Sequence, residues 1–233
     1  MIGERIYRFE TLESTNTYAL KNHFMLHDGD VIVALEQTAG RGRENRAWHS
    51  PRGGLWFSIV FKPKNIKDLN FYTKLASVSL LQVLKDLRIP AHLKWPNDVY
   101  YKRKKLAGIL TEGIFDGELP VVIVVGVGLN VNNEIPDELK SIATSIKEIK
   151  GKEYPVDDLL MLILRRMRSN WEKYKLTKGA LTRLWKKALD LKEGMKVVFQ
   201  GKESKIYKIL PDKLILNTPD GFKEVTSARE LYG

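Results

Sequence analysis

The residues best suited to chemistry lie in residues 40–48, Gly-Arg-Gly-Arg-Glu-Asn-Arg-Ala-Trp, which we call the basic loop. Its three arginines carry planar, permanently charged guanidinium groups that bind phosphates and carboxylates through paired hydrogen bonds. Gly40 and Gly42 give the backbone freedom to approach a ligand closely. The loop stands between residues 31–35 and 55–61, two apolar runs typical of buried strands. We therefore interpret it as an anion-binding loop; a solvated basic loop is the alternative.

Two lysines further along the chain, Lys94 and Lys105, bracket a predicted hairpin. Residues 94–98 read Lys-Trp-Pro-Asn-Asp, and Lys105 is followed three residues later by Gly108. A lysine beside bare glycine backbone can direct its ammonium group at a substrate carboxylate or a phosphate. Asp98 could help to hold Mg²⁺ against such phosphates. The alternatives are exposed lysines that protect a sheet edge and a turn-forming aspartate, and these residues alone do not decide.

A pair of glycines ends the most β-branched segment of the chain, where residues 126–130 read Gly-Val-Gly-Leu-Asn. The motif lacks the third glycine of a dinucleotide-binding fingerprint, and the basic loop lacks the Gly-Lys-Ser/Thr of a P-loop. Two glycines still let a ligand pass close to a strand, and Asn130 offers a donor and an acceptor to a base edge. A bulge in a core strand is the alternative.

Composition limits the chemistry. The chain has 233 residues, 43% of them hydrophobic, and no cysteine, which excludes disulfides, thiolate catalysis and thiolate metal sites. Its four histidines show no metal-ligand spacing. The formal net charge of +11 favours an anionic partner, which could be a nucleic acid, a nucleotide or an acidic protein. No membrane span or signal peptide is recognised, so we expect a cytoplasmic protein.

The apolar pattern predicts strands and helices that position these residues. The predicted strands are residues 6–9, 31–35, 55–61, 92–95, 99–101, 106–115 and 120–131, the last of them central. The predicted helices are one to residue 20 capped by residues 14–16, then 71–87, one from just after Pro155 to about Lys175, and 177–191. Residues 196–199, 204–209, 213–217 and 222–225 predict a small β-barrel. We therefore expect two domains, 1–190 and 191–233.

Taken together and in order, these motifs resemble the biotin–protein ligases, also called biotin–[acetyl-CoA-carboxylase] ligases. The resemblance covers about residues 6–175. It rests on residues 14–16, Gln37, residues 40–43 with Arg46 and Trp48, residues 94–98, 105–108, 126–130 and 143–145. It implies an α+β fold with a mixed-sheet, class II synthetase-like catalytic domain and an SH3-like C-terminal β-barrel. Asn45 departs from the family pattern, which commonly has a glycine there.

The resemblance implies a reaction in two steps. Biotin and ATP form biotinyl-5′-adenylate and pyrophosphate, and a lysine of a biotin carrier domain then takes the biotinyl group. The implied catalytic residues are Lys105, Arg43 and Lys94, with Mg²⁺ at Asp98. The implied biotin-binding residues are Ser14, Thr15, Asn16, Gln37, Gly40, Arg41, Gly42, Arg43, Lys105, Gly108, Gly126 and Gly128. Those implied for ATP and the adenylate are Arg41, Arg43, Arg46, Trp48, Asn97 and Asn130.

The resemblance also predicts partners. The acceptor is a biotin carboxyl carrier protein, and residues 38–51 order over the adenylate to exclude water. Because the chain starts directly at the catalytic domain, without the winged helix-turn-helix of some members, we expect no specific DNA binding. We expect no membrane contact, and a homodimer is allowed. Two other functions remain: a lipoate–protein ligase with the same chemistry, and a nucleic-acid-binding module suggested by the charge and the terminal barrel.

Overall fold

The computed structural model describes residues 1–63, 68–227 and 229–232. Its strands are β1 (Ile6–Leu12), β2 (Val31–Gln37), β3 (Leu55–Phe61), β4 (Ala91–Lys94), β5 (Asp98–Tyr101), β6 (Lys104–Asp116), β7 (Leu119–Leu129), β8 (Lys196–Phe199), β9 (Lys202–Ile209), β10 (Leu214–Thr218) and β11 (Gly221–Val225). Its helices are α1 (Thr15–Lys21), α2 (Leu69–Asp86), α3 (Ile146–Lys150), α4 (Val156–Tyr174), α5 (Lys178–Ala188) and α6 (Arg229–Tyr232). Among these residues, no helix is long and apolar enough to cross a membrane.

The first seven strands form one mixed sheet in the order β1-β2-β3-β7-β6-β5-β4. β1 pairs with β2 in parallel, and the remaining neighbours are antiparallel. The long apolar run of β7 occupies the fourth position of seven, as its β-branched composition predicts. Every residue of its neighbour β3 is buried. The predicted mixed sheet is thus confirmed, with β3 and β7 at its centre.

Alternate residues of β7 pack into two separate apolar cores, because successive side chains of a strand point to opposite faces. Ile123 and Val125 join the larger core, to which α2, α4 and α5 contribute. Val122 and Val124 join a smaller core with Ala19 of α1. The N-terminus of α1 therefore lies over the face of the sheet that the three long helices leave uncovered.

The last four strands form a second, antiparallel sheet in the order β11-β10-β9-β8. Within the described residues β8 and β11 remain its two edges, so the predicted closure into an SH3-like barrel is not seen. The sheet packs on the main body: Phe199, Ile206 and Leu216 belong to the larger core. The Trp95 indole Nε1 also donates to the Leu210 carbonyl (2.8 Å). The boundary near residue 191 remains a prediction.

Three elements differ from the sequence prediction, and the first is the short helix α6, which follows the last predicted strand and has no counterpart among the predicted helices. The helix predicted to end at residue 191 ends at Ala188, because Leu189 is extended (φ −72°, ψ 149°) and forms a β-bridge with Leu93. The short α3 was not predicted, although its start carries a sequence signal. The Ser145 hydroxyl caps it by accepting a hydrogen bond from the Glu148 backbone N–H (3.2 Å), the serine–glutamate spacing of a capping box.

Candidate functional site

A cavity of about 400 Å³ lies between the N-terminus of α1, the basic loop and the glycine-rich ends of β6 and β7. Sixteen of the eighteen predicted site residues line it: Ser14, Thr15, Asn16, Gln37, Arg41, Gly42, Arg43, Arg46, Trp48, Lys94, Asn97, Asp98, Lys105, Gly108, Gly126 and Gly128. Residues that are far apart in sequence therefore meet at one place. Gly40 and Asn130 do not line the cavity.

Three glycines on one face of the sheet make room for the cavity. Gly128 pairs with Gly108 on β6, and Gly126 lies two residues before Gly128, on the same face. We call these three residues the glycine patch. A Cβ atom on Gly128 would come 2.5 Å from the Trp48 indole Nε1, and one on Gly108 would come 3.2 Å from the same ring. The indole of Trp48 therefore lies directly on bare backbone, which explains these two glycines.

Small polar side chains form the buried floor beside the glycine patch. Ser14 caps α1, as predicted, by accepting a hydrogen bond from the Thr17 backbone N–H (3.4 Å). Thr15 and Asn16 follow it, and the fully buried Ser58 hydroxyl lies 2.7 Å from Thr15 Oγ1 and 2.6 Å from Asn16 Oδ1. Such a neutral, hydrogen-bonding floor suits a ligand with polar but uncharged groups.

Gln37 connects this floor to the basic loop. Its Oε1 accepts a hydrogen bond from the Thr15 backbone N–H (2.8 Å), and its Nε2 donates to Ser50 Oγ (2.8 Å). The Ser50 hydroxyl in turn donates to the Trp48 carbonyl (3.0 Å). Gly40 lies behind this link, where a Cβ atom would come 2.5 Å from Ser50 Oγ and from the Trp48 carbonyl. The loop backbone is thus tied to the residues at the start of α1.

Lysines and an aspartate form the opposite wall. Lys105 Nζ lies 2.8 Å from Asp98 Oδ2 and 4.8 Å from the centre of the Trp48 ring. Both partners of the ion pair are about a quarter exposed. Lys94 Nζ lies 4.9 Å from the ring centre of Tyr100, and burial, with the nearby Asp98 charge, raises the pKa of the Tyr100 hydroxyl. The indole and Asp98 together hold the Lys105 ammonium at the cavity.

The three arginines of the basic loop have different surroundings. Arg41 Nη1 donates to Glu112 Oε1 (2.8 Å). Arg43 Nη2 donates to the carbonyl of Thr226 in the C-terminal part (2.9 Å). Burial lowers the pKa of the Arg43 guanidinium, although the nearby Glu44 charge opposes the shift. Arg46 is exposed and lies 3.5 Å from Glu44. With Lys94 and Lys105, five cationic side chains converge on one cavity, an arrangement that suits a polyanion.

Asn130 occupies a different position from the other predicted residues. Its Nδ2 donates to the Thr144 carbonyl (3.0 Å), and its Oδ1 accepts from Asn133 Nδ2 (3.2 Å). The side chain is 5% exposed and holds the end of β7 against the segment before α3. Its part in recognising adenine therefore remains a prediction.

The number and position of carboxylates at the cavity determine what kind of metal ion it can hold. Within the described ranges, no group of three histidine, aspartate or glutamate side chains gathers around one point. Asp98 and Glu112 are each paired with a cation. A single carboxylate such as Asp98 fits Mg²⁺ that is held largely by substrate phosphates and one protein oxygen.

Sequence reasoning missed three polar residues of the site, Ser50, Ser58 and Glu112. Ser58 carries a recognisable signal, because it is the single polar residue in the apolar run of β3. A hydroxyl in such a strand must find a buried partner. Glu112 has no comparable signal, since β6 carries other polar residues around it.

Comparison with known proteins gives the family. Residues 8–130 match the model of the biotin/lipoate A/B protein ligase family. The bifunctional ligase/repressor BirA of Bacillus subtilis is 33% identical over 98% of this chain and 74% of its own length. The chain belongs to the biotin/lipoate A/B protein ligase family. The biotin–[acetyl-CoA-carboxylase] ligase of Paracoccus denitrificans is 35% identical over 51% of this chain and 51% of its own.

A solved family structure shows the same fold. The biotin protein ligase from Aquifex aeolicus in complex with biotin and ATP superposes with a TM-score of 0.79. It is 31% identical in sequence, and the match covers 96% of each chain. The family fold therefore extends over the C-terminal sheet as well as the large mixed sheet.

Proposed function

We propose that the chain is a biotin–protein ligase that forms biotinyl-5′-adenylate from biotin and ATP and then transfers biotin to a lysine of an acceptor protein. The observation that carries the proposal is the cavity itself, where a neutral polar floor meets five converging cations. The floor suits the uncharged ureido ring of biotin, and the cations suit a reaction between an anion and a polyanion. The names of the family relatives support the choice of biotin.

In the first step, a biotin carboxylate oxygen attacks the α-phosphorus of ATP, and the bond to the bridging oxygen breaks to release pyrophosphate. The barrier is largely electrostatic, because two negatively charged groups must meet. Lys105, held at the cavity by Asp98 and Trp48, neutralises charge at the reacting atoms. Arg41, Arg43 and Lys94 neutralise the remaining phosphate charge.

The nucleotide would lie toward Arg46, Trp48 and Asn97, with Asn130 nearby at the end of β7. Mg²⁺ bound to the phosphates would take Asp98 as its protein ligand and supply further positive charge. In the second step, the acceptor lysine amine attacks the acyl carbon, AMP leaves, and the amine loses a proton. Residues 38–51 would shield the mixed anhydride from water between the steps.

We propose a biotin carboxyl carrier protein as the acceptor; the name of the Paracoccus denitrificans relative gives acetyl-CoA carboxylase as the protein on which that relative acts. We divide the chain near residue 191, with a catalytic part and a C-terminal part that helps to close the basic loop. The hydrogen bond from Arg43 to the Thr226 carbonyl supports that division of labour. A homodimer belongs to the same proposal.

Pyrophosphate release from ATP, Mg²⁺ and biotin tests the function directly. Lys105→Ala should lower the rate about a hundredfold or more, because one charge contact is lost from a shielded site. Lys102→Ala is the matched control, since Lys102 is an exposed lysine at the turn of the same hairpin, and it should leave the rate unchanged. Turnover with lipoate in place of biotin, or normal turnover in folded Lys105→Ala, contradicts the proposal.

A further inference from the structure

An acidic side chain in the wall between the floor and the basic loop has no part in the chemistry described so far. Glu112 Oε2 accepts a hydrogen bond from Asn16 Nδ2 (2.7 Å), and its Oε1 accepts from Arg41 Nη1 (2.8 Å). The side chains of Glu112 and Arg41 are 23% and 28% exposed, and Asn16 is 3% exposed. One carboxylate therefore joins the buried floor to the basic loop.

On the floor side, Glu112 sets the orientation of the Asn16 amide. A carboxylate only accepts hydrogen bonds, so the NH₂ group of Asn16 must face it. The amide oxygen then faces the Ser58 hydroxyl at 2.6 Å, and the same NH₂ group also reaches the Leu110 carbonyl (3.2 Å). Asn16 lies directly over Gly126, so a rotated amide would change the polar surface that a ligand meets beside the glycine patch.

On the loop side, Glu112 fixes Arg41 through one nitrogen. A guanidinium group has five N–H donors in a rigid plane, so a bond through Nη1 leaves other donors to offer a ligand. Arg41 lines the same cavity as Lys105. A charged hydrogen bond of this length in a partly buried place is among the stronger polar contacts in proteins.

We propose that Glu112 is a positioning residue, which orients the Asn16 amide for biotin and holds Arg41 where the adenylate forms. The identity of the two ligands rests on the proposed function, whereas the link between Glu112 and Arg41 does not. Glu112 touches neither ligand in this account, and it acts through its two partners.

Two substitutions of Glu112 separate its two tasks. Glu112→Gln can keep its single amide oxygen on Asn16, and its NH₂ group then faces Arg41, to which it cannot act as an acceptor. We expect biotin affinity without ATP, measured by calorimetry, to stay within about twofold of the parent, and kcat for pyrophosphate release to fall about tenfold or more. Glu112→Ala removes both contacts, so biotin affinity and kcat should both fall. Equal losses in both quantities for both variants overturn the proposal.

A double-variant cycle tests whether Glu112 acts through Arg41. In an Arg41→Met background, Glu112→Gln should cause little further loss of kcat, because the contact is already gone. A full, additive loss overturns the proposal. Glu10→Gln is the matched control, because it breaks an exposed glutamate–arginine pair with Arg52 (2.6 Å) on β1. That variant should retain both biotin affinity and kcat.

A ligand-free measurement separates this inference from the proposed function. Trypsin cuts after arginine, so the rate of cleavage between Arg41 and Gly42, resolved by mass spectrometry from cleavage after Arg43 and Arg46, reports how firmly Arg41 is held. We expect faster cleavage in Glu112→Gln than in the parent or in Glu10→Gln. Equal rates overturn the link between Glu112 and Arg41. A parent protein that fails to bind biotin contradicts the proposed function. The cleavage rates would still show whether Glu112 holds Arg41, because that measurement needs no ligand.

Discussion

At the scale of single residues, glycines, which have no side chain, shape the cavity as much as the side chains that line it. A Cβ atom on Gly126 would lie closer to Asn16 Oδ1 than Cβ atoms approach in proteins. Asn16 is held by Ser58, Glu112 and Leu110, so it has little freedom to move aside. The glycine at 126 is therefore a requirement of the floor.

Gly126→Ala should displace Asn16 and weaken biotin binding by about tenfold or more, with a loss of stability of about 1–3 kcal/mol from overpacking. Calorimetry with biotin and thermal unfolding measure the two effects. Gly179→Ala is the control, because a Cβ there meets only Arg183 Nη1 at 3.8 Å and lies on helix α5. It should raise stability slightly through helix propensity. Normal biotin binding by Gly126→Ala contradicts the placement of biotin.

The sequence predicts the residue types of the site well and its hydrogen-bond network poorly. Arg41, Lys105 and the glycine patch were recognisable because their chemistry is unusual for the strands and loops around them. Glu112 was not recognisable, because it acts by accepting a hydrogen bond from Asn16, which lies 96 residues earlier in the sequence. Local periodicity contains no information about such a contact, which only the fold creates.

At the scale of elements, a buried lysine marks the contact between α2 and α5. Lys74 is 8% exposed, and its Nζ donates to Thr182 Oγ1 (3.0 Å). Burial lowers the pKa of the Lys74 ammonium, and the neighbouring Lys186 and Lys178 charges act in the same direction, against Asp68 and Asp212. The charged form is thus less favourable in the folded protein than in the unfolded chain.

Lys74→Met should raise the free energy of unfolding by about 1 kcal/mol near pH 7, because methionine has similar length without the charge. Thr182 keeps a partner, since its hydroxyl also donates to the Lys178 carbonyl (3.1 Å). Thermal unfolding should show a melting temperature about 2–4 °C higher than that of the parent. A lower melting temperature at pH 7 contradicts the argument.

The gain in Lys74→Met should shrink as the pH rises. With a lowered folded pKa, the unfolded chain binds more protons than the folded protein between that pKa and the ordinary lysine value, so stability rises with pH in that window. At alkaline pH Lys74 loses its proton, so the parent regains the stability that the buried charge costs it at pH 7. Chemical unfolding of both proteins at pH 7 and near pH 10 measures whether the difference in their free energies of unfolding falls as the pH rises. A gain that grows with pH contradicts this expectation.

Element prediction succeeded for the strands and the long helices and failed for the short helices α3 and α6. β3, β7 and α4 have long patterns, and the structure confirms them within a few residues. The five-residue α3 has too few turns for a period to appear, so only its Ser145–Glu148 cap signals it. Closure of the C-terminal strands was predicted from strand spacing, which does not determine whether edge strands meet.

At the scale of the whole molecule, the C-terminal sheet completes the surroundings of the cavity. The residues that directly follow two of its strands supply the carbonyl of Thr226 to Arg43 and that of Leu210 to Trp95. The sheet also contributes Phe199 to the larger core. The residues that form the cavity floor, by contrast, all come from positions 14–128.

A chain that ends at residue 190 should still bind biotin, because it retains the floor, but should transfer it poorly. Its melting temperature should fall, since the shared core loses its C-terminal members. Biotin calorimetry and biotinylation of a carrier domain measure the two functions. A folded truncation that no longer binds biotin contradicts this division of the chain.

Arg43→Gly should release the adenylate into solution, because it removes a phosphate contact and the bond to Thr226 while increasing the freedom of the loop. Lys105 remains, so the adenylate should still form. Free biotinyl-adenylate acylates exposed lysines, and labelling of serum albumin at equal adenylate synthesis measures its escape. Arg103→Gly, at the exposed turn of the β5–β6 hairpin, should label no more than the parent. Equal labelling by Arg43→Gly and the parent contradicts a retaining role for the loop.

The bond between Arg43 and Thr226 joins positions 183 residues apart in a chain of 233. A ribosome delivers the chain from its N-terminus, so the floor, the basic loop and both lysines emerge long before the carbonyl that receives Arg43. Contacts of such long sequence separation also form late in folding, after the entropy of closing the chain has been overcome. A growing polypeptide can therefore acquire the floor of its cavity well before it acquires its anchored loop, and adenylate made on an unfinished chain would have the least protection from water.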